Sequence, residues 1–259
     1  RKDGLDWYDP RQSIELALSW YASRFTAISH KKVVGEDSTL YLQSSVAAQR
    51  IAELLPSVKI IFMLRHPVKR TYSHYWHHVT RGRLTYSFED ALARYPSIVL
   101  GSTYAPSLRH YIDVLGADRI RIGLFEDFLE DQQAFMDGLS DFLGLTRRPV
   151  DTSASWFNRT YYPRNVFLQK QLNRLSSRIV KYQYHNHFRQ RSGKLADMRS
   201  TFHYRWFKYI HPVFLTAEKP PPMHNETKHY LEQHLSARNV GLSELLGRDL
   251  SQVWQGFQG

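Results

Sequence analysis

Arg65 stands at the end of an apolar run, Val58-Lys59-Ile60-Ile61-Phe62-Met63-Leu64, and just ahead of Pro67. Ser73 follows on the segment that Pro67 opens. A guanidinium forks onto a phosphate through two charge-assisted hydrogen bonds. If Pro67 opens a helix, the helix brings its N-terminal N–H groups and positive dipole end to the same place. Arg65 and Ser73 are therefore candidates for holding an oxyanion. The plainer alternative pairs Arg65 with a carboxylate and merely packs Ser73. Proton-carrying groups lie on neighbouring segments. His74, His77 and His78 are spaced i, i+3 and i+4 beyond the anion motif, and Glu36 closes the segment Lys32–Glu36 beside Asp37 and Ser38. Glu36 is a candidate base or acceptor contact, or else a capping carboxylate. Tyr104 either lines an acceptor pocket or packs. Asp127, at the end of another apolar segment, reads first as a helix cap.

These groups need elements to hold them. The run 58–64 is almost continuously apolar and rich in β-branched residues, the pattern of a strand buried on both faces of a parallel sheet. Pro67 suits the first turn of a helix, predicted to reach about Thr80 ahead of Gly82. Residues 45–55, stopped by Pro56, and the segments 87–95 and 104–115 read as helices. Val33-Val34 suggests a short strand. Residues 119–125 alternate as a strand, followed by a helix to Leu143 with Gly144 as its stop. Alternating strands and helices predict an α/β domain with a parallel sheet. Beyond 146 the texture changes. Helices are expected at 165–176, from the apolar positions Val166, Leu168, Leu172 and Leu175, and at 226–246, ending at Gly247. Residues 151–164 read as a loop, 177–203 as basic and polar, and Lys219-Pro220-Pro221-Pro222 as a stiff connector. One domain is expected over 1–259, with an α/β core at 1–145 and a helical C-terminal elaboration at 146–259.

Composition narrows the chemistry. The chain has 259 residues, with 35 Lys+Arg against 24 Asp+Glu, a formal net charge of +11 and no cysteine. Disulfides, thiol nucleophiles and Cys-ligated metal sites are excluded. No apolar run is long enough for a membrane span, and no signal peptide is visible. The apolar and aromatic content can fill a core. The basic excess suggests an anionic partner or a solvated cationic surface. A metal at His74, His77 and His78 would need convergence and a further ligand, so none is expected.

The stretch Lys59-Ile60-Ile61-Phe62-Met63-Leu64-Arg65-His66-Pro67-Val68-Lys69-Arg70-Thr71-Tyr72-Ser73-His74-Tyr75 closely resembles the 3′-phosphate-binding motif of sulfotransferases that use PAPS, 3′-phosphoadenosine 5′-phosphosulfate. Further landmarks are Gly4-Leu5-Asp6-Trp7-Tyr8, Gly35-Glu36-Asp37-Ser38-Thr39-Leu40-Tyr41-Leu42, Leu124-Phe125-Glu126-Asp127-Phe128 and the tail from Arg238 to Leu250. Their order is most similar to the carbohydrate-type branch, which includes bacterial sulfotransferases and heparan N-sulfotransferase domains. The resemblance implies a P-loop-kinase-like α/β fold. It also implies sulfuryl transfer from PAPS to a hydroxyl or amine, with release of adenosine 3′,5′-bisphosphate and without a metal. Arg65 and Ser73 would hold the 3′-phosphate. His77 falls at an active-site histidine position, and Lys219 where a loop folds over the nucleotide. The family's Gly- and Thr-rich 5′-phosphosulfate loop and its strand are absent from this sequence and are expected ahead of Trp7. One side of the 58–64 strand should therefore lack a regular neighbour. A cytoplasmic enzyme is expected, without a nucleic-acid partner. The alternative is a degenerate, non-catalytic nucleotide- or glycan-binding module.

Overall fold

The computed structural model describes residues 33–82, 84–151, 161–175, 205–216 and 220–259, together with 19, 21–23 and 25–26. The chain divides into two compact units, Arg1–Leu40 and Tyr41–Gly259. In the first, the Tyr21 ring meets Phe25 edge-on at 5.0 Å, and its hydroxyl donates to Glu36 Oε1 at 3.2 Å. Residues 33–38 lie in neither helix nor strand, so the short strand expected from Val33-Val34 is not formed there.

The second unit opens with helix α1 (Ser45–Leu54), capped by Ser44, whose hydroxyl accepts from the Ala47 N–H. Strand β1 (Ile60–Leu64) leads into helix α2 (Pro67–Thr80). The short helices α3 (Phe88–Arg94) and α4 (Ser97–Leu100) precede α5 (Ala105–Leu115). Strand β2 (Ile120–Leu124) runs parallel to β1, with Ile60 opposite Ile120 and Leu64 opposite Leu124. The α/β reading and the parallel sheet hold. Among the described residues β1 has β2 as its one strand neighbour. Its outward side chains Ile61 and Met63 stay 37% and 46% exposed, while Phe62 and Leu64 are buried.

Two predicted helices are each broken in two. The helix after β2 splits into α6 (Phe125–Glu130) and α7 (Gln132–Leu143). Asp131 between them turns its carboxylate onto the Ala134 N–H at 2.9 Å and starts α7 afresh. Such a cap satisfies a donor that a continuous helix would have used internally. Helix α7 ends at Gly144 in the left-handed region, as read.

Strand β3 (Tyr162–Pro163) precedes helix α8 (166–175) and pairs antiparallel with β4 (Leu215–Thr216). The predicted long C-terminal helix divides into α9 (Asn225–Arg238) and α10 (Leu242–Leu246). Gly241 at φ 77° forms that break, and Gly247 at φ 62° ends α10. The predicted loop at 151–164 contains the short strand β3, and its residues 152–160, the segment 176–204 and the connector residue Lys219 lie outside the described residues.

Helix α8 presents another face than its apolar periodicity suggests. Phe167, Leu168 and Leu175 are exposed, whereas Gln169 and Asn173 are buried. The reason is a demand for donors. The carbonyls of Val79, in the last turn of α2 and already bonded by the Gly82 N–H at 3.1 Å, and of Leu84 lie in the interior. The Asn173 amide donates to them at 2.8 and 2.7 Å. His211 Nε2 lies 2.8 Å from Gln169 Oε1 and completes the cluster. Buried carbonyls without donors cost more than a few exposed leucines.

Two apolar clusters carry the unit. One joins the sheet to α5 and the C-terminus through Phe62, Leu64, Leu108, Tyr111, Leu124, Leu242 and Trp254. The other joins α2 to α3, α4 and α9 through Val68, Tyr75, Trp76, Val79, Phe88, Ile98, Leu231 and Leu235. Asn239, fully buried just past α9, links the two. Its Oδ1 accepts from the backbone N–H groups of Tyr104 and Ala105 at 2.6 and 3.2 Å, capping the start of α5. Its Nδ2 donates to the carbonyls of Ser102 and Leu235 at 3.0 and 2.8 Å. The substitution Asn239→Ala leaves these buried groups without their side-chain partners. It is expected to lower the stability of the folded chain by about 3 kcal/mol, measured by urea unfolding.

Candidate functional site

The parallel register of β1 and β2 ends both strands at the same level, Leu64 beside Leu124. The residues that follow, Arg65 and Phe125, meet there. The Arg65 guanidinium lies over the Phe125 ring, 5.5 Å from its centre. A cation on an aromatic face is held without being neutralised, so it remains available to an anion. Among the described residues Arg65 has no carboxylate within ion-pair distance. The alternative of an Arg65–carboxylate pair is not realised among them.

The peptide that joins Arg65 to His66 is clamped on both sides. Its carbonyl accepts from the Tyr104 hydroxyl at 2.8 Å. Its N–H donates to Glu126 Oε1 at 3.1 Å, while Glu126 Oε2 accepts from the Trp254 indole at 2.9 Å. Burial pushes the Tyr104 hydroxyl up to about 12, so it stays protonated and can donate. Tyr104 is thus a buried strut under Arg65, and the reading of it as a pocket-lining residue gives way to packing.

His66 occupies the N-cap of α2. Its Nδ1 accepts from the Val68 N–H at 3.2 Å, and its Nε2 lies 3.1 Å from the Gln255 carbonyl. These partners require the neutral tautomer with the proton on Nε2. Pro67 carries no N–H, and the Val68 N–H is spent on the cap. Two of the leading positions of α2 are thus not offered to an anion.

Ser73 sits partly exposed on α2, on the side away from the buried stripe of Val68, Thr71, Tyr75 and Val79. His77 shares that side and is exposed. His78 diverges from it, its Nε2 lying 2.9 Å from His74 Nε2. Ser73 and His77 thus share one helix face about a turn apart. Glu36 belongs to the first unit, where Tyr21 hydrogen-bonds it, and Lys219 lies outside the described residues. Asp127 does not cap α6, which has no side-chain N-cap. Instead it forms an ion pair with Arg248 at 2.8 Å. No group of three or more His, Asp or Glu side chains suited to a metal occurs among the described residues.

Sequence reading missed His66, Glu126 as a bridge, Trp254 and Asn239. His66 was signalled: the residue before a proline at the first helical position is the N-cap. Asn239 was signalled more faintly, as an asparagine beside Gly241 at a helix end. The bonds of Glu126 and Trp254 span the chain and leave no local trace.

Comparison with known proteins places the chain. The sulfotransferase family profile matches residues 12–149, a span that holds Arg65, Ser73 and His77. This chain belongs to the sulfotransferase family. The human bifunctional heparan sulfate N-deacetylase/N-sulfotransferase 2 is 26% identical over 145 residues, covering 50% of this chain and 16% of that protein. The human heparan sulfate glucosamine 3-O-sulfotransferase 6 is 26% identical over 154 residues, covering 56% of this chain and 45% of that one. The crystal structure of a sulfotransferase from Alicyclobacillus acidocaldarius superposes with a TM-score of 0.50 and 32% identity, over 54% of this chain and 62% of that one. The matched region is therefore less than half of each curated relative.

The His66 cap gives the site a pH dependence. Burial holds the imidazole below its ordinary value. Above about pH 6.5 the ring is neutral in both folded and unfolded chains, and its contribution to stability is complete. Below that, the unfolded chain takes up a proton that the folded cap resists, and stability falls towards the lower folded-state value. Unfolding followed from pH 7.5 to 5.5 should show this decline. It should be shallower in His66→Asn, which keeps a capping acceptor but cannot titrate. Equal slopes would refute the role of His66.

Proposed function

We propose that this protein transfers a sulfuryl group from PAPS to a hydroxyl or amine of a carbohydrate acceptor and releases adenosine 3′,5′-bisphosphate. The observation that carries the reading is Arg65: a guanidinium without a carboxylate partner among the described residues, at the carboxyl end of a parallel strand, on a peptide clamped from both sides. In open α/β sheets ligands bind at such ends. The relatives named for heparan sulfate support a glycan acceptor.

The residues fit a phosphate monoester. Arg65 can fork onto two of its oxygens and the Ser73 hydroxyl can donate to a third. Sulfuryl transfer requires the acceptor and the leaving phosphate in line, with positive charge on the oxygens that gain charge. A base must take the acceptor's proton. We assign that part to His77, which is exposed on the face of Ser73, with Glu36 as the second candidate. Lys219 is retained as a contact for the nucleotide. The whole of 1–259 is taken as one sulfotransferase domain. The cysteine-free composition fits a reducing, cytoplasmic setting. Among the described residues no helix is long and apolar enough to cross a membrane. One relative, from Dictyostelium discoideum, is named a membrane-associated sulfotransferase and is 34% identical over 61 residues.

Calorimetry with adenosine 3′,5′-bisphosphate tests the binding half. Arg65→Ala should weaken the affinity of the full-length protein by about 1.5–3 kcal/mol, the worth of a charged hydrogen bond. An unchanged Kd would sink the assignment. Transfer of labelled sulfate from PAPS to glycan acceptors tests the catalytic half. His77→Ala is expected to lower kcat by about a hundredfold or more with little change in nucleotide Kd. Tight nucleotide binding with no transfer to any hydroxyl or amine acceptor would identify a non-catalytic binding module instead.

A further inference from the structure

Helix α8 turns a polar side inward, and so it turns an apolar side out. Phe167, Gln171, Arg174 and Leu175 fall at i, i+4, i+7 and i+8, along one side of the helix, with Leu168 beside them. Phe167 is 72% exposed and Leu175 66%. Gln169 and Asn173 lie on the opposite side, bonded to the carbonyl groups of Val79 and Leu84 and to His211. The helix cannot roll its leucines inward without breaking those buried bonds. The ordinary arrangement of a surface helix is inverted, and an apolar face is fixed towards solvent. A second exposed apolar set lies on the neighbouring segment 205–216. That segment is tied to α8 through the β3–β4 pair, the Arg164 N–H on the Phe214 carbonyl at 2.9 Å, and the contact of His211 with Gln169. His211 is buried, while Tyr209, Ile210 and Val213 around it are exposed.

The charge of the chain is gathered in the same region. The stretches 161–175 and 205–216 contain Arg164, Lys170, Arg174, Arg205 and Lys208 and no Asp or Glu. Over 161–216 the sequence holds eleven Lys and Arg against one acid, Asp197. These 56 residues thus carry +10 of the net +11, and the rest of the chain is close to neutral. Cations alone fit any polyanion. A glycan or a nucleic acid would answer the arginines, but it gains little from exposed Leu175, Ile210 and Val213. The surface of an anionic bilayer answers both features: headgroup phosphates meet the cations, and the acyl boundary takes the apolar side chains.

We propose that α8 and the adjoining segment 205–216 form a docking surface for an anionic lipid bilayer. Phe167, Leu175 and Val213 enter the headgroup boundary, and the long Lys and Arg side chains reach the phosphates beside them. The protein lies on the membrane without spanning it. Such docking is reversible and weakens with salt, because headgroup attraction is screened within a Debye length. It is independent of the reading of Arg65 as an anion site.

The test sediments the full-length protein with vesicles of phosphatidylcholine alone and of phosphatidylcholine mixed with phosphatidylglycerol. The anionic vesicles should bind it about tenfold or more tightly. The double variant Phe167→Ser, Leu175→Ser keeps every charge. It should lose about tenfold or more of that binding and melt at the wild-type temperature, since both side chains already face solvent. The pair Lys170→Gln, Arg174→Gln keeps the apolar face. It should bind the anionic vesicles severalfold more weakly and with a shallower salt dependence. Failure of the wild type to sediment with anionic vesicles overturns the proposal. Undiminished binding by the Phe167, Leu175 variant overturns it too, because the surface is then electrostatic only. If that variant melts well below the wild type or does not fold, the chain itself covers the face, and the proposal fails. A wild-type dimer on gel filtration that the same variant turns into a monomer would show a second copy on the face instead. Retention on a sulfated polysaccharide without vesicle binding would identify a polyanion partner and refute the bilayer.

Discussion

The site hangs on one peptide group, the bond between Arg65 and His66. Its oxygen is held by Tyr104 and its N–H by Glu126, so the strand-to-helix turn cannot rotate without breaking a bond in the interior. A long, flexible side chain such as arginine recognises an anion well only if its root is fixed, because ordering it costs conformational entropy. Here the root is fixed by the clamped peptide and the far end is guided by the Phe125 ring.

Every partner of that peptide comes from elsewhere in the chain. Tyr104 is set by Asn239, which caps α5 from the end of α9. Glu126 is set by Trp254, and His66 by the carbonyl of Gln255. The C-terminal segment thus braces the sheet as well as covering it, and Trp254 and Phe257 bury the brace in the apolar cluster around the strands. Polar groups in such a network are stabilising when each is satisfied and destabilising when one is lost. The cost of losing Asn239 should therefore reach the anion site as well as the fold.

What was legible in the sequence was local. The β1 strand, the start of α2 at Pro67 and its end at Thr80, and the glycine stops at Gly144 and Gly247 follow from periodicity and from backbone rules that act within a few residues. The pair Arg65 and Ser73 could be found because both lie in that one strand–turn–helix unit. The failures share a different cause. Helix α8 turned Gln169 and Asn173 inward because carbonyls at distant positions needed donors. Asp127 left its helix end for Arg248, and the long C-terminal helix stopped short where Asn239 was needed by α5. Each is a tertiary demand for hydrogen-bond satisfaction overriding a local pattern, and no window of sequence contains both partners.

The use of the Val68 N–H inside the protein, next to a proline without one, also constrains the chemistry. A site built from backbone N–H groups and a helix dipole reads charge diffusely and falls off within a turn. A site built from guanidinium groups on a clamped backbone reads shape as well as charge, because the planar fork matches adjacent phosphate oxygens. The His66 cap takes the Val68 N–H, and Pro67 has none to offer. In the proposed phosphate site, discrimination against a carboxylate or a simple halide then rests largely on the planar fork of Arg65. The clamp on the Arg65–His66 peptide preserves that geometry. The Val68 N–H and the His66 ring hold the turn, and the proposed recognition falls mainly to the side chains that the turn presents.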